Sequence, residues 1–260
     1  MNNLKSPSLP EMPDIWQQTL HWTPTVQQQV QFQQLYEFIL EGNRQFNLTR
    51  ITDPQEFWEK HLWDSLRGIA PLLRDKEAGV GNTFVSPSSS PTSLSFIDIG
   101  TGAGFPGIPV AITVANSTVT LLDSTQKKMT FVEKLSAALD LSNVKTLTGR
   151  SEEVGQQPQH RQTYDVALIR AVGTASVCAE YALPLLKQGG LAVIYRGNWT
   201  QEETKALENA VNQLGGVVES IEKFTTPLTD SIRHCLYLRK VATTPVQFPR
   251  PVGVPTQKPL

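Results

Sequence analysis

An apolar run that ends in an acidic residue and a glycine turn constrains the fold of this chain more than any other feature. The run is FIDIGTGAG over residues 96–104, and a second apolar run, VTLL over residues 119–122, ends in Asp123. Glycines allow a tight turn and a close approach of the backbone to a ligand. A carboxylate at the end of the next parallel strand can accept the two hydroxyls of a ribose. The pattern predicts a parallel α/β sheet that binds a nucleotide-type cofactor.

The spacing of the glycines separates two kinds of cofactor. A dinucleotide places its pyrophosphate at a helix N-terminus, which requires Gly-x-Gly-x-x-Gly. Here Phe105 stands where the third glycine of that motif belongs, and Asp98 precedes the compact Gly-x-Gly-x-Gly loop. S-adenosylmethionine has no phosphate, so the loop favours this cofactor. A glycine-rich turn in an unrelated α/β protein is the alternative interpretation.

The amino-acid composition limits which partners and which cellular compartment we expect for this chain. The 260 residues are 39% hydrophobic and carry a net charge of -1, so any contact with RNA must come from a local basic patch. Two cysteines and four scattered histidines predict neither a disulfide framework nor a metal site. No signal-peptide pattern is visible, and no apolar stretch reaches the ~18 residues of a membrane span. We therefore expect a cytoplasmic protein without a membrane segment.

Apolar segments alternate with helix-length segments along residues 95–240, which predicts a parallel sheet covered on both faces. Strands are predicted near 95–99, 118–122, 143–148, 164–169, 190–196, 216–224 and 233–240. Helices are predicted near 107–115, 125–139, 174–187 and 201–214. The last two strands have no helix between them, so the final strand should be antiparallel. A seven-stranded, mostly parallel sheet of this kind is typical of Rossmann-like S-adenosylmethionine-dependent methyltransferases.

Five segments are predicted along the chain. They are a flexible tail (1–13), an N-terminal helical region (14–75), a Ser/Pro-rich insertion (76–95), the methyltransferase domain (96–240) and a Pro-rich disordered tail (241–260). In the helical region, Thr23-Pro24 and Asp53-Pro54 predict helix starts, the second with Glu56 as in a capping box. Gly42 predicts the end of the first helix.

Several motifs together resemble one family. They are FNLT (46–49), HLWDS (61–65), DIGTGAGFPGIP (98–109), LLDS (121–124), RSEE (150–153) and Arg233-His234. Over about residues 30–240 the chain resembles the ribosomal RNA small subunit methyltransferase G family, also called glucose-inhibited division protein B. The resemblance implies methyl transfer from S-adenosylmethionine to N7 of one guanine in 16S ribosomal RNA. It also implies the 30S ribosomal subunit as partner, and we expect a monomer.

The resemblance and the loop together give the predicted site residues. The predicted cofactor-binding residues are Asp98, Gly100, Gly102, Gly104, Phe105, Asp123, Ser124, Ser151, Glu152 and Arg170. The predicted RNA-binding residues are Lys127, Lys128, Arg196, Arg233 and His234. Arg170 is also the candidate for positioning the reactants, and no metal ligand is predicted.

Each of these assignments has a plainer alternative. Arg170 could be a surface arginine at a strand end, and the charges of Lys127 and Lys128 could simply be solvated. Arg196 stands where the family is expected to have lysine, which leaves its role open. His61 and Asp64 lie one helical turn apart. They could form a local hydrogen-bonded pair or belong to a lid over the cofactor.

The sequence shows no obvious catalytic base. Guanine N7 has a free lone pair, so its methylation needs alignment and not proton removal. A small-molecule methyltransferase and a non-enzymatic RNA-binding or ribosome assembly factor on the same fold remain alternatives. A nicotinamide oxidoreductase is disfavoured by Phe105.

Overall fold

Seven strands form one sheet in the computed structural model, which describes residues 7–73 and 93–260. The strands are β1 (Leu94–Ile99), β2 (Ser117–Asp123), β3 (Val144–Thr148), β4 (Tyr164–Arg170), β5 (Leu186–Arg196), β6 (Gly216–Thr225) and β7 (Ile232–Lys240). Their order is β3-β2-β1-β4-β5-β7-β6, and β7 is antiparallel to both of its neighbours. The predicted mostly parallel sheet with an antiparallel last strand is confirmed.

Helices cover both faces of this sheet. Those described are α1 (Pro13–Leu20), α2 (Val26–Phe46), α3 (Pro54–Phe57), α4 (Asp64–Arg67), α5 (Gly107–Thr113), α6 (Gln126–Ala138), α7 (Ser151–Val154), α8 (Ala175–Ala182), α9 (Gln201–Gln213) and α10 (Val254–Gln257). A π-helix over Trp58–Trp63 joins α3 to α4, and a 3-10 turn over Leu183–Leu185 leads from α8 into β5. No helix in the described ranges is long and apolar enough to cross a membrane.

Two hydrophobic clusters lie on opposite faces of the sheet. Successive side chains of a strand point to opposite sides, so Phe96 belongs to one cluster and Ile97 to the other. The first cluster holds the N-terminal helices together with α5 and α6. The second holds α8, α9 and Phe248 from the C-terminal end of the chain. Each terminal region therefore covers a different face.

The first long helix begins later than predicted. Thr25, and not Thr23, is its N-cap: the Thr25 hydroxyl accepts from the backbone N–H of Gln28 at 3.3 Å. The Gln28 side chain accepts from the backbone N–H of Thr25 in return, at 2.9 Å. This reciprocal capping box fixes the start at Val26.

The same helix also runs past its predicted end. It continues to Phe46, because Gly42 serves packing and not termination. A Cβ added at Gly42 would lie 2.2 Å from Cε2 of Phe131 on α6. The glycine therefore allows α2 and α6 to approach closely.

The predicted helix start at Asp53-Pro54 is confirmed. One carboxylate oxygen of Asp53 accepts from the backbone N–H groups of Gln55 and Glu56, at 2.9 and 3.0 Å. The helix continues through the π-helical turn to Arg67. Such turns occur frequently at functional sites.

The predicted disorder of the C-terminal segment (residues 241–260) is wrong. The guanidinium of Arg161 donates to the carbonyl oxygens of Gly155, Thr244, Pro245 and Phe248, at 2.7–3.2 Å. A proline-rich segment cannot form a regular hydrogen-bond ladder, because proline lacks an N–H donor. Here the Arg161 side chain bonds to carbonyls of residues 241–260. It holds this segment on the face of the sheet that carries the second hydrophobic cluster.

The other two irregular segments are described only in part. Residues 1–6 lie outside the described ranges, whereas Leu9 donates its backbone N–H to Oε1 of Gln33 on α2 at 2.8 Å. The predicted flexible tail is therefore wrong for residues 7–13, and α1 already begins at Pro13. The predicted insertion (76–95) falls outside the described ranges except for residues 93–95, and β1 begins at Leu94.

Candidate cofactor site

The glycine loop turns tightly at the carboxyl end of β1. Gly100 and Gly102 have φ angles of 72° and 60°, which favour glycine. The backbone N–H of Gly100 donates to the carbonyl of Leu122 at 2.8 Å, which holds the loop against β2. A Cβ at Gly100 would lie 2.5 Å from Cγ2 of Val172, whereas one at Gly102 would meet only the Gly100 carbonyl, at 3.9 Å. The loop thus exposes bare backbone at Gly102.

Asp98, on β1, connects the glycine loop to the start of α5 through hydrogen bonds. Its Oδ2 accepts from the Thr101 hydroxyl at 2.6 Å and from the backbone N–H of Gly107 at 2.8 Å. Burial raises the pKa of Asp98 to about 6, against the lowering effect of these bonds. Its buried Oδ1 has no hydrogen-bond partner among the described residues. A buried acceptor of this kind calls for a partner such as an ordered water or a ligand.

Asp123 ends β2 on the other side of the loop. Its Oδ2 accepts from the backbone N–H of Gly102 at 3.1 Å, and its Oδ1 accepts from the backbone N–H of Thr125 at 2.9 Å. The ammonium of Lys128 lies 3.9 Å from Oδ2. A carboxylate offers about four lone-pair sites, so Asp123 is oriented and still able to accept from two hydroxyls.

A cleft of about 170 Å³ opens at the carboxyl ends of β1 to β4. It brings together five of the predicted residues, namely Gly100, Asp123, Ser124, Ser151 and Glu152. Sites that enclose a whole small ligand usually measure about 300–1,000 Å³. The cleft therefore fits one part of a cofactor, and the glycine loop beside it could hold the rest.

Glu152 is fixed by two groups that the sequence did not indicate. Its Oε1 accepts from the hydroxyl of Tyr181 and from the backbone N–H of Gly253, both at 3.1 Å. Burial, followed by the charge of Glu152, raises the pKa of Tyr181, which keeps the phenol protonated and donating. Within the described part of the chain, no group donates to Oε2 of Glu152.

The cleft also contains residues that sequence reasoning missed. Arg150, Val172, Tyr181 and Thr256 line it as well. Arg150 directly precedes the predicted Ser151, so its position in the sequence could have indicated that it lines the site. Tyr181 lies within α8 and Thr256 in a segment predicted to be disordered, and neither has a local motif.

Phe105 contacts the helical region and not the cleft. Its ring stacks on His61, with ring centroids 4.3 Å apart and an interplanar angle of 13°, and Phe57 contacts both rings. His61 Nε2 lies 2.9 Å from the Thr49 hydroxyl, so His61 does not form the local pair with Asp64 considered above. Burial, then the positive charges of Arg170 and Lys60, lower the pKa of His61 to about 3. The imidazole is therefore neutral at physiological pH.

Arg170 links the carboxyl end of β4 to the same helical region. Its Nη1 donates to Oδ2 of Asp64 at 2.8 Å and to the carbonyl of Lys60 at 3.1 Å. Its guanidinium carbon lies 6.0 Å from the centroid of the Phe105 ring. The next residue, Ala171, has a φ of 57°, an unfavourable angle for a residue with a side chain. The backbone is thus strained at the edge where the cleft opens.

The predicted RNA-binding residues differ in their placement. Lys127 and Lys128 are exposed on the first turn of α6, and Arg233 is partly exposed. Arg196 donates to the carbonyl of Gly173 at 2.7 Å. His234 is only 6% exposed, and its Nδ1 lies 2.6 Å from the Gly197 carbonyl, so its ring fixes the loop after β5. Four of the five residues are therefore at least partly exposed at the surface, and none of the five lines the cleft.

Comparison with known proteins identifies the family. The sequence model described as "rRNA small subunit methyltransferase G" matches residues 28–235. The chain belongs to this family. A curated relative from Nostoc punctiforme, named ribosomal RNA small subunit methyltransferase G, is 73% identical over 252 residues, covering 97% of this chain and 98% of the relative. Relatives of the same name from Trichormus variabilis and Trichodesmium erythraeum are 69% and 54% identical, covering 97% and 100% of this chain and 98% of each relative.

Family membership makes the chain a methyltransferase that uses S-adenosylmethionine. The site fits this cofactor. It offers bare loop backbone at Gly102, an unpaired buried acceptor on Asp98 and an oriented carboxylate on Asp123. The part of the chain that the structure describes holds no cluster of three or more side chains suited to a metal ion.

Proposed function

We propose that the chain transfers a methyl group from S-adenosylmethionine to N7 of a guanine in 16S ribosomal RNA. The names of the relatives support the class of substrate, and the motifs at residues 46–65, 98–124 and 150–153 support the same family reaction. The single observation that carries the proposal is the family match over residues 28–235.

Specific residues would hold the cofactor. Asp123 would accept the two ribose hydroxyls, and Ser151 and Glu152 would line the part of the cleft that receives the adenosine. The backbone of the loop from Gly100 to Gly104 would approach the methionine end. When bound, S-adenosylmethionine supplies a methyl group on a positively charged sulfur, which is the electrophile of the reaction.

The two cysteines and His61 are unsuited to act as nucleophile or base in another methylation reaction. Methylation at C5 of a pyrimidine requires a thiolate. Burial raises the pKa of Cys178 to about 11 and raises that of Cys235 further, so both thiols stay protonated. His61 is neutral, but its ring packs against Phe57 and Phe105, and its Nε2 lies 2.9 Å from the Thr49 hydroxyl. Guanine N7 needs neither group, because its lone pair attacks directly once the base is aligned.

Arg170 is proposed as a positioning residue. It lies at the carboxyl end of β4, where ligands bind in open α/β sheets. Its Nη1 is held by Asp64 and by the Lys60 carbonyl, so the guanidinium has a fixed orientation. The remaining donors could orient the methionine carboxylate or the target nucleotide by a forked contact.

The proposed RNA surface surrounds the cleft. Lys127 and Lys128 follow β2, Arg196 ends β5 and Arg233 begins the antiparallel β7, so all four lie at the same edge of the sheet. The net charge of the whole chain is -1, so these local cations would supply the attraction to phosphate.

Methyl transfer tests the proposal directly. Labelled S-adenosylmethionine is incubated with 30S subunits from a strain that lacks this enzyme, and the RNA is digested to identify the modified nucleoside. We expect 7-methylguanosine at one position, and almost none with the Asp123→Ala variant. Label in another nucleoside, or transfer only to small molecules, would refute the proposal.

Salt dependence tests the RNA surface separately. Reversing the charges of Lys127 and Lys128 to glutamate should reduce the slope of log affinity against log salt by about one to two, because each lost phosphate contact removes about one released counterion. Cofactor affinity should be nearly unchanged. Reversal of Lys205 on α9 serves as the control. An unchanged slope would place the surface elsewhere, for instance around Arg233.

A further inference from the structure

The C-terminal segment reaches the cofactor cleft from outside residues 28–235, which match the sequence model of the family. The family match ends at residue 235, and the sheet ends with Lys240. Thr256 nevertheless lines the cleft, and Gly253 donates its backbone N–H to Glu152 at 3.1 Å. Gly253 and Glu152 are 101 residues apart in the sequence.

Two arginines anchor this segment before it reaches the cleft. Arg161 binds the carbonyls of Thr244, Pro245 and Phe248, as described above. Arg250 forms a forked ion pair with Glu180 on α8, with Nε–Oε1 and Nη2–Oε2 distances of 2.9 and 2.6 Å. The Glu180 side chain is only 1% exposed, so the pair is largely shielded from solvent. The Arg250 anchor therefore fixes the point from which residues 251–257 run to the cleft.

The contact with Glu152 orients a carboxylate that lines the cleft. Gly253 and Tyr181 both donate to Oε1, so that oxygen is committed to the protein. Oε2 has no donor among the described residues and belongs to a side chain that lines the cleft. A carboxylate fixed through one oxygen presents the other in a defined direction, which suits recognition of an N–H donor on the ligand.

We propose that residues 251–257 form a wall of the cofactor site and position Glu152 toward the adenosine end of S-adenosylmethionine. The proposal rests on the proposed placement of the cofactor in this cleft. It assigns a binding role to a segment that lies beyond residues 28–235, the range of the family model, and it predicts that the segment raises cofactor affinity and does not block the site.

Truncation after Arg250 tests this role while it keeps both anchors. We expect the dissociation constant for S-adenosylmethionine, measured by calorimetry without RNA, to rise about tenfold, the effect of about 1.4 kcal/mol. The melting temperature should stay near that of the full chain. Truncation after Gln257 is the matched control, because it retains Gly253 and Thr256, and it should change affinity less than twofold.

A double variant shows whether the segment acts through Glu152. In a Glu152→Gln background, the truncation after Arg250 should weaken binding less than it does in the wild-type background. Amide hydrogen exchange of residues 251–257 in the full chain should slow when S-adenosylmethionine is added. Unchanged affinity after truncation, or tighter binding, would overturn the proposal. The binding measurement involves no RNA, so its result is independent of whether 16S ribosomal RNA is the substrate.

Discussion

The two terminal regions reach the same edge of the sheet from opposite faces, and each is held there by an arginine–carboxylate pair. On the first face, Arg170 binds Asp64 through one guanidinium nitrogen, and the Asp64 side chain is 12% exposed. On the second face, Arg250 binds the buried Glu180 through a fork. The Arg170–Asp64 pair lies near Phe105, directly after the glycine loop, whereas the Arg250–Glu180 pair lies on α8. We therefore expect the first pair to serve mainly the reaction and the second pair mainly to hold structure.

The largest expected effect is on stability, at the second pair. Arg250→Met removes the cationic partner of the buried Glu180 carboxylate, which keeps only the backbone N–H of residue 250 as a donor. The free energy of unfolding should fall by about 3 kcal/mol, measured by urea denaturation. Lys187→Met removes the exposed partner of Asp165 and is the control, with an expected loss below ~1 kcal/mol. Equal losses in the two variants would show that the Arg250 pair contributes no more than a surface pair.

Asp123 lies between the two terminal regions, and its expected effect is on binding. Asp123→Ala should weaken S-adenosylmethionine binding by about 2 kcal/mol in calorimetry, through loss of charge-assisted hydrogen bonds. Thr125→Ala is a useful control, because only its backbone N–H contacts Asp123. Wild-type affinity in Asp123→Ala would remove this carboxylate from the site.

The first pair should affect turnover more than folding. Arg170→Ala should reduce methyl transfer to 30S subunits about tenfold or more, which corresponds to ~1.4 kcal/mol of lost transition-state stabilisation. Stability should fall by only about 1 kcal/mol, and lysine should restore part of the activity. Asp64→Asn measures the contribution of the ion pair alone. If Arg170→Ala turned over at the normal rate, the contrast between the two pairs would not hold.

The smallest effect concerns acid stability of the helical region. The pKa of His61 is about 3 in the folded chain and about 6.5 when unfolded, so below pH 6.5 the unfolded state binds the extra proton. Stability that depends on His61 is present above pH 6.5 and is lost as pH falls toward 3. Between pH 6.5 and 5.5 this loss should be about 1 kcal/mol.

A variant isolates that contribution. His61→Phe keeps an aromatic ring between Phe57 and Phe105, and its unfolding free energy should fall less than that of wild type over the same pH interval. The exposed His21 gives the control, since His21→Phe should leave the pH dependence unchanged. Parallel pH curves for His61→Phe and wild type would show that His61 titrates normally.

The sequence revealed the parts of the site that depend on local patterns. The glycine loop, Asp123 and the alternation of strands and helices are written in contiguous residues, and the structure places Gly100, Asp123 and Glu152 around one cleft. The start of α2 was missed because Thr23 and Thr25 flank the same proline, and only the Gln28 side chain distinguishes them.

The remaining features depend on partners far apart in the sequence. Arg170 and Asp64 are separated by 106 residues, and Arg161 and Phe248 by 87. Composition alone made the C-terminal segment look disordered, since its prolines give no periodic signal. Its order comes from donors on other elements, which no local pattern shows.

The position of β7 has a consequence for the order in which the fold can be completed during synthesis. β6 pairs only with β7, and β7 separates it from β5. The buried carboxylate of Glu59 also depends on the turn between β6 and β7, because it accepts from the backbone N–H groups of Leu228 and Thr229 in that turn. A nascent chain that has emerged only as far as β6 therefore holds an unpaired strand and an unsatisfied buried acid. Closure of the sheet must therefore await β7, the last strand in chain order.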